Sequence, residues 1–149
     1  MYLDHWVSFS NPVFAVSLEH PVNWQPVPGY GGDENGEVRF AGDNGFFHIS
    51  AMDAATGIDA VAANEAGHRL QPYDSHPTIE SLQIQGQEVR LIMPSEDQRG
   101  MGHQAALIVR YPQPVTISDV PCRYFVLWAD YPHIRTIAQT LQFGTGSGG

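Results

Sequence analysis

Histidine, cysteine and carboxylate side chains are where a short acidic chain keeps its chemistry, and this sequence spreads them thinly. Seven histidines occur, at His5, His20, His48, His68, His76, His103 and His133. None belongs to a His-Glu-x-x-His pair, and Asp130-Tyr-Pro-His133 has a spacing that arises by chance in many chains. His20 precedes a proline at the end of an apolar run and His48 lies within another, so structural or solvated roles are expected for both. His68 and His76 flank Pro72 and are the pair that can converge on zinc, but a tetrahedral site needs further ligands that the spacing does not identify. No metal and no cofactor is therefore predicted, and metal-dependent stabilisation through His68, His76 or His103 stands as a third reading.

Other chemistries fall away one by one. All seven basic residues are arginines. Without lysine there is no Schiff base, no pyridoxal-phosphate anchor, no Walker A loop and no kinase-like site from this chain. Cys122 is the only cysteine, which rules out an intrachain disulfide, and its place before Tyr124-Phe-Val-Leu-Trp128 predicts an inert thiol in a strand. No Gly-x-Ser-x-Gly elbow is present. Asp33-Glu-Asn-Gly36 and Asp43-Asn-Gly45 offer oxygen ligands but lack the spacing of a calcium loop, and turn chemistry explains both. Gly29, Gly31 and Gly32 lack the strand-loop-helix setting of a phosphate cradle. Glu96-Asp97 and Asp33-Glu34 are adjacent pairs whose side chains diverge in extended chain, so they are read as solvated.

Charge and composition bound the rest. The formal net charge of -9 argues against a nucleic-acid partner, which needs clustered cations, and favours a basic partner or divalent cations, or serves solubility alone. At 149 residues, with 42% hydrophobic and 15% charged, residues 1–143 are expected to form one domain. Residues 144–149, Gly-Thr-Gly-Ser-Gly-Gly, have the composition of a flexible tail. No stretch is long enough to cross a bilayer, and Tyr2-Leu-Asp-His5 has neither the basic start nor the apolar middle of a signal peptide. The compartment is left open between the cytoplasm and an exported domain relieved of its leader, and the oligomeric state is open too.

The elements that must hold these residues can be read from periodicity. From Trp6 the chain is read as one alternating strand with Phe14, Val16 and Leu18 on one face, stopping at Pro21 and delivering Trp24. Val38-Arg-Phe40 and Phe46-Phe-His-Ile49 flank Gly42-Asp-Asn-Gly45, a hairpin with an Asn-Gly turn. Residues 56 to 71 carry Ile58, Val61, Ala62 and Ala66 at helical spacing, with Thr56 and Asp59 as a capping box and Pro72 as the stop. A second hairpin turns at Gly86. Ala105-Ala-Leu-Ile-Val-Arg-Tyr111 and Tyr124-Phe-Val-Leu-Trp-Ala129 are almost uninterrupted apolar strands, as expected where a sheet is covered on both faces. Pro132 opens a last helix that carries Ile134, Ile137, Ala138 and Leu141 and ends near Gly144. The fold class is α+β, a central antiparallel sheet of about six or seven strands with helices packed on both faces.

In that order the elements resemble the PsbP-like fold, named after an extrinsic subunit of photosystem II and shared by many bacterial proteins. The likeness covers residues 6 to 143 and rests on His20-Pro-Val-Asn-Trp24, Gly86-Gln-Glu-Val-Arg-Leu91, and Tyr124–Ala129 running on to Leu141-Gln-Phe143. It implies a non-enzymatic protein-binding or assembly module with an unidentified protein partner. Trp24 and Tyr30, beside a Pro/Gly loop, are the aromatics expected to be exposed, and Trp128 is assigned to the core. Glu96, Asp97, Arg99 and His103, in a glycine-flanked loop, are the other candidate binding residues. The alternative is a small-molecule-binding or hydrolase/isomerase α+β cone, resembling the nuclear-transport-factor-like fold, with an internal pocket.

Overall fold

The opening segment folds back on itself. In the computed structural model, which describes residues 5–28, 38–67, 73, 77–95, 103–117 and 119–143, β1 (Trp6–Asn11) and β2 (Val16–Pro21) form an antiparallel hairpin running from Trp6↔Pro21 to Asn11↔Val16. Asn11 makes the reversal. Its Oδ1 accepts from the amides of Val13 and Phe14 at 2.8 and 3.1 Å, an Asx turn, and Ala15 completes the bend at φ +56°. The single long strand expected there is thus corrected: Asn11-Pro12 is a turn dipeptide inside an apolar run. Val16 and Leu18 share the buried face expected of them, and Phe14 is buried from the turn, not from the strand.

Eight further strands follow in chain order: β3 (Gln25–Pro26), β4 (Val38–Gly42), β5 (Gly45–Met52), β6 (Thr78–Ile84), β7 (Gln87–Met93), β8 (Gln104–Ile117), β9 (Val120–Asp130) and β10 (Gln142–Phe143). Seven of the ten strands make one antiparallel sheet in the order β3-β4-β5-β9-β8-β7-β6, and β1-β2-β10 make a second, three-stranded sheet. The β6–β7 turn places Gln85 at φ +52° and Gly86 at φ +80°, both central positions of the primed turn that matches strand twist. In β8 the pairing slips between Arg110 and Val115, where Pro112 and Pro114 cannot donate to the ladder.

The apolar strands are uninterrupted for the expected reason. On β9, Phe125, Leu127 and Ala129 enter one core while Tyr124 and Val126 enter another; on β8, Leu107 and Val109 divide in the same way from Ala106 and Ile108. The first core is covered by β2 and by α2 (Tyr131–Thr140), through Ile134, Ile137 and Ala138. The second is covered by α1 (Ile58–Ala66), through Ile58, Val61 and Ala62, together with Tyr73. The two helices therefore lie on opposite faces of the main sheet, and the fold is α+β.

Both helices are shorter than their patterns suggest. α1 starts at N-cap Gly57 with no side-chain cap, so the Thr56/Asp59 capping box does not form; Asp59 instead accepts a 2.7 Å bond from Arg90 across to β7. The expected residues 68 to 71 of that helix lie outside the described residues. α2 carries Pro132 in its first turn but stops at Leu141, because Gln142 and Phe143 leave it to pair with β2.

Candidate functional site

A polar centre forms where the β4–β5 turn, the β2–β3 turn and the start of α2 meet at one end of the main sheet. The β4–β5 connection is the two-residue turn Asp43-Asn44, flanked by the pair Gly42↔Gly45. Neither glycine has a positive φ; both are glycine because side chains press on them. A Cβ at Gly42 would come within 2.6 Å of Trp24 Cδ1, and one at Gly45 within 2.7 Å of Trp24 Cζ2 and onto Asp130 Oδ1.

Trp24 reaches that position from a tight turn in which its amide donates to Pro21 O at 3.1 Å. It is 1% exposed, which corrects the expectation of an exposed contact aromatic. A tryptophan beside a Pro/Gly loop reads as surface in sequence, but here the two glycines of the next hairpin open a slot for it. Its Nε1 donates to Asn44 Oδ1 at 2.7 Å, its ring stacks on His20 at 6.4 Å, and its edge meets His133 at 5.2 Å. His20 is buried among Phe40 and Phe47, and its Nδ1 donates to Pro21 O at 2.8 Å, fixing the tautomer.

Asp130 ends β9 and precedes α2, the position from which a carboxylate ordinarily caps a helix. It does not cap this one. Oδ1 instead accepts the Phe46 amide of β5 at 3.0 Å, and Oδ2 accepts His133 Nδ1 at 2.5 Å, with the carboxylate side chain 5% exposed. The Asp130/His133 spacing, read in sequence as accidental, is a real pair. A helix boundary between the two residues was the signal that joins them, since one turn of helix brings positions three apart to the same side.

Two open clefts flank the turn and share Asn44. One, of about 610 Å³, is bordered by His5, Trp6, Val22, Asn23, His133 and Thr136. The other, of about 400 Å³, is bordered by Arg39, Asp43, His103, Asp130 and Pro132, with the Arg39 guanidinium 4.4 Å above the Phe46 ring. His103 is the one candidate of its loop within the described residues; it is exposed at φ +60° and its ring meets Tyr131 edge-on at 5.8 Å. Tyr30, Glu96, Asp97, Arg99, His68, His76 and the 144–149 tail lie outside the described residues. The loop that carries Tyr30 and the loop that carries Glu96, Asp97, Arg99 and His103 are anchored apart: Ser95 and His103 belong to the end with the Asp43-Asn44 turn, Pro28 and Val38 to the other end of β4.

Elsewhere, Cys122 is buried, and burial foremost, with the nearby Asp53 charge, pushes its thiol up, as suits an unreactive cysteine. Trp128 packs half-buried against the second core and donates from Nε1 to Glu65 Oε2 at 3.0 Å. Among the described residues no group of three or more His, Cys, Asp or Glu side chains is placed to hold a metal ion. No helix among them is long and apolar enough to cross a membrane.

No family model matches the chain, and no curated protein matches it in sequence. Among solved structures it is similar to cyanobacterial PsbP (CyanoP) from Synechocystis sp. PCC 6803, with a TM-score of 0.53 over 95% of this chain and 94% of that one, at 10% identity. At that identity the likeness establishes the fold, which is PsbP-like.

Proposed function

We propose that this chain is a non-enzymatic module that binds a protein partner, docking through the end of the main sheet that carries the Asp43-Asn44 turn. One observation carries the reading: the groups beneath the two clefts are already bonded to one another. Asp130 is held by Phe46 and His133, and Trp24 by Asn44, so the floor is fixed before any partner arrives. A pre-formed surface loses little conformational freedom on binding. Its rim offers Val22 and Tyr131, 48% and 44% exposed, as apolar contacts among polar neighbours, the usual composition of a transient interface. The net charge of -9 favours a basic partner. Glu96, Asp97 and Arg99 join the proposal as further contact residues, since Ser95 and His103 anchor their loop at this end, and Tyr30 joins it as a separate contact residue on the loop anchored at the other end of β4.

A photo-crosslinking residue tests the location. Placed at Val22 or Asn44 in the folded protein and exposed to extract of its own host, it is expected to capture one specific protein that the same residue at Gln83, on β6, does not. Identical products at all three positions, or none, would count against the docking face.

A second reading draws on the Asp130–His133 pair itself, because a buried carboxylate that orients an imidazole beside a cleft is a general-base arrangement. The α+β cone with an internal pocket, expected as the alternative for a small-molecule-binding or hydrolase/isomerase chain, does not form: α1 and α2 lie on opposite faces of the main sheet. Among the described residues no hydroxyl or thiol is hydrogen-bonded to His133, so the pair would act on a proton of the substrate itself. Turnover of a test panel of enolisable ketones that His133→Gln abolishes would favour this reading over docking.

A further inference from the structure

The second face of the main sheet is only part covered. α1 packs over β6, β7 and β8, and beside it, over β5 and β9, lies a half-open cavity of about 260 Å³. Its walls are apolar, with Met52, Val61, Ile108, Val126 and Trp128 prominent among them, and Glu65 of α1 stands at its edge. Met52 at the mouth is 38% exposed. The space is roughly nine times the ~30 Å³ that a water takes up in the liquid, which accommodates a short aliphatic stem with a polar head.

Glu65 is coordinated on one side only. Both of its described donors, Tyr73 Oη at 2.5 Å and Trp128 Nε1 at 3.0 Å, go to Oε2. A carboxylate accepts on both oxygens, and among the described residues Oε1 has no partner. Both donors are neutral. Among the described residues Arg90 pairs with Asp59 and Arg123 with Asp53, and no ion pair reaches Glu65. Burial first, and then the Glu65 charge, hold the Tyr73 phenol protonated well above its ordinary range, so it stays a donor and never a competing anion. Here, then, is a carboxylate beside an apolar cavity that has, among the described residues, one open oxygen and no counter-charge.

We propose that this cavity receives an alkylammonium group, the side chain of a lysine presented by a basic partner, with the stem against Met52, Val126 and Trp128 and the ammonium on Glu65 Oε1. Lysine suits the site better than arginine. A guanidinium fork seeks both carboxylate oxygens, and Oε2 already accepts two bonds, whereas an ammonium is a point charge that a single oxygen satisfies. A second copy of this chain is excluded as the source, since the sequence contains no lysine. The proposal rests on the docking reading only in taking the ammonium from a partner, and the cavity is separate from the two clefts.

The test is a titration of the ¹⁵N-labelled full chain with acetyl-Gly-Lys-Gly-amide, read at the Trp128 indole N–H and the Glu65 amide. Saturable shifts are expected at both, with the norleucine peptide, which keeps the stem and lacks the charge, at least about tenfold weaker, and the arginine peptide weaker as well. Glu65→Gln is expected to lose about tenfold in affinity. Should that variant not fold, Met52→Trp, at an exposed position, closes the mouth and removes binding with Glu65 intact. Equal binding of lysine and norleucine peptides, or shifts that bypass Trp128 and Glu65, would overturn the site. Free butylammonium binding about tenfold more tightly than the peptide would overturn the assignment to a partner's side chain. The titration needs no partner, so lysine binding without crosslinking at Val22 would remove the docking face alone.

Discussion

Two carboxylates, Asp130 and Glu65, stand at the margins of the same sheet and are treated in opposite ways. Asp130 has each oxygen engaged, one by a backbone amide from β5 and one by an imidazole from α2, so it ties three elements together. Glu65 has two neutral donors on a single oxygen and a cavity beside it. A fully engaged buried carboxylate is a structural fastening, because removing any partner leaves a costly unpaired group. A half-engaged one at a cavity edge retains the capacity to bind. The sheet end is therefore expected to govern stability and the α1 side to govern ligand recognition, and the two should respond differently to mutation.

The largest difference is expected at the tryptophans. Trp24→Ala empties a slot closed by His20, Asn44, Phe47 and His133, and the loss expected for a fully buried aromatic is about 4 kcal/mol. Trp128→Ala opens a cavity that already faces solvent and should cost about half as much. Urea unfolding of both variants measures this directly, and an equal or larger loss at Trp128 would erase the proposed division.

Next comes Asp130. Asp130→Ala leaves the Phe46 amide without its acceptor and His133 without its anchor, an expected loss of about 3 kcal/mol. Asp130→Asn keeps an acceptor oxygen for Phe46 and should recover part of that stability. If alanine and asparagine behave alike, the carboxylate is not the fastening described. Gly45→Ala attacks the same junction from the other side: its Cβ meets Asp130 Oδ1 and Trp24, and overpacking of this kind costs about 1–3 kcal/mol. Gly57→Ala, with nothing near its Cβ, lacks that clash and should cost only what alanine loses as an N-cap.

How much of this could be read beforehand follows from the range of each interaction. The two apolar strands, their coverage on both faces and the two helices are local patterns of period two or 3.6, and they were legible. The β1–β2 reversal was signalled by Asn11-Pro12 but masked by the apolar run around it. The site was harder. Gly42 and Gly45 read as turn residues, and nothing in their neighbourhood says that Trp24 and Asp130, far away in the chain, claim the space above them. Trp24 read as exposed for the same reason. Asp130 and His133 were visible as a spacing, but their bond depends on a helix beginning between them and on β5 offering an amide. Glu65 drew no attention, since its donors, Tyr73 and Trp128, arrive from separate elements.

Alkaline pH tests the Glu65 side. Burial foremost raises the phenols of both Tyr73 and Tyr111; Glu65 adds to the first and Cys122 to the second, while Tyr111 Oη donates to Phe14 O at 2.8 Å. A folded-state pKa above the unfolded value of ~10 means that the stability from each neutral phenol is whole below pH ~10 and is lost as pH rises beyond it, at up to about 1.4 kcal/mol per unit per group. Tyr111→Phe and Tyr73→Phe should each shallow that decline in denaturation series above pH ~10. Glu65→Gln removes a lesser cause of the raised Tyr73 pKa, so the decline should keep its slope just above pH ~10 and end at a lower pH, whereas Asp130→Asn should leave both as they are. A decline that ends at the same pH in Glu65→Gln as in the parent protein would separate Tyr73 from Glu65 electrostatically.

The smallest expected effect is the most discriminating. At neutral pH Glu65→Gln should change stability by less than about 1 kcal/mol, because the amide oxygen still accepts from Tyr73 Oη and Trp128 Nε1 and, among the described residues, no ion pair is broken. The same conservative exchange at Asp130 replaces a carboxylate that His133 and Phe46 both use, and the expected loss is larger. A carboxylate retained for folding resists neutralisation; one whose charge contributes little to folding and stands beside an apolar cavity is available to a cation from outside. If thermal unfolding shows Glu65→Gln to be as damaging as Asp130→Asn, the charge at Glu65 belongs to the fold, and the contrast between the two carboxylates fails.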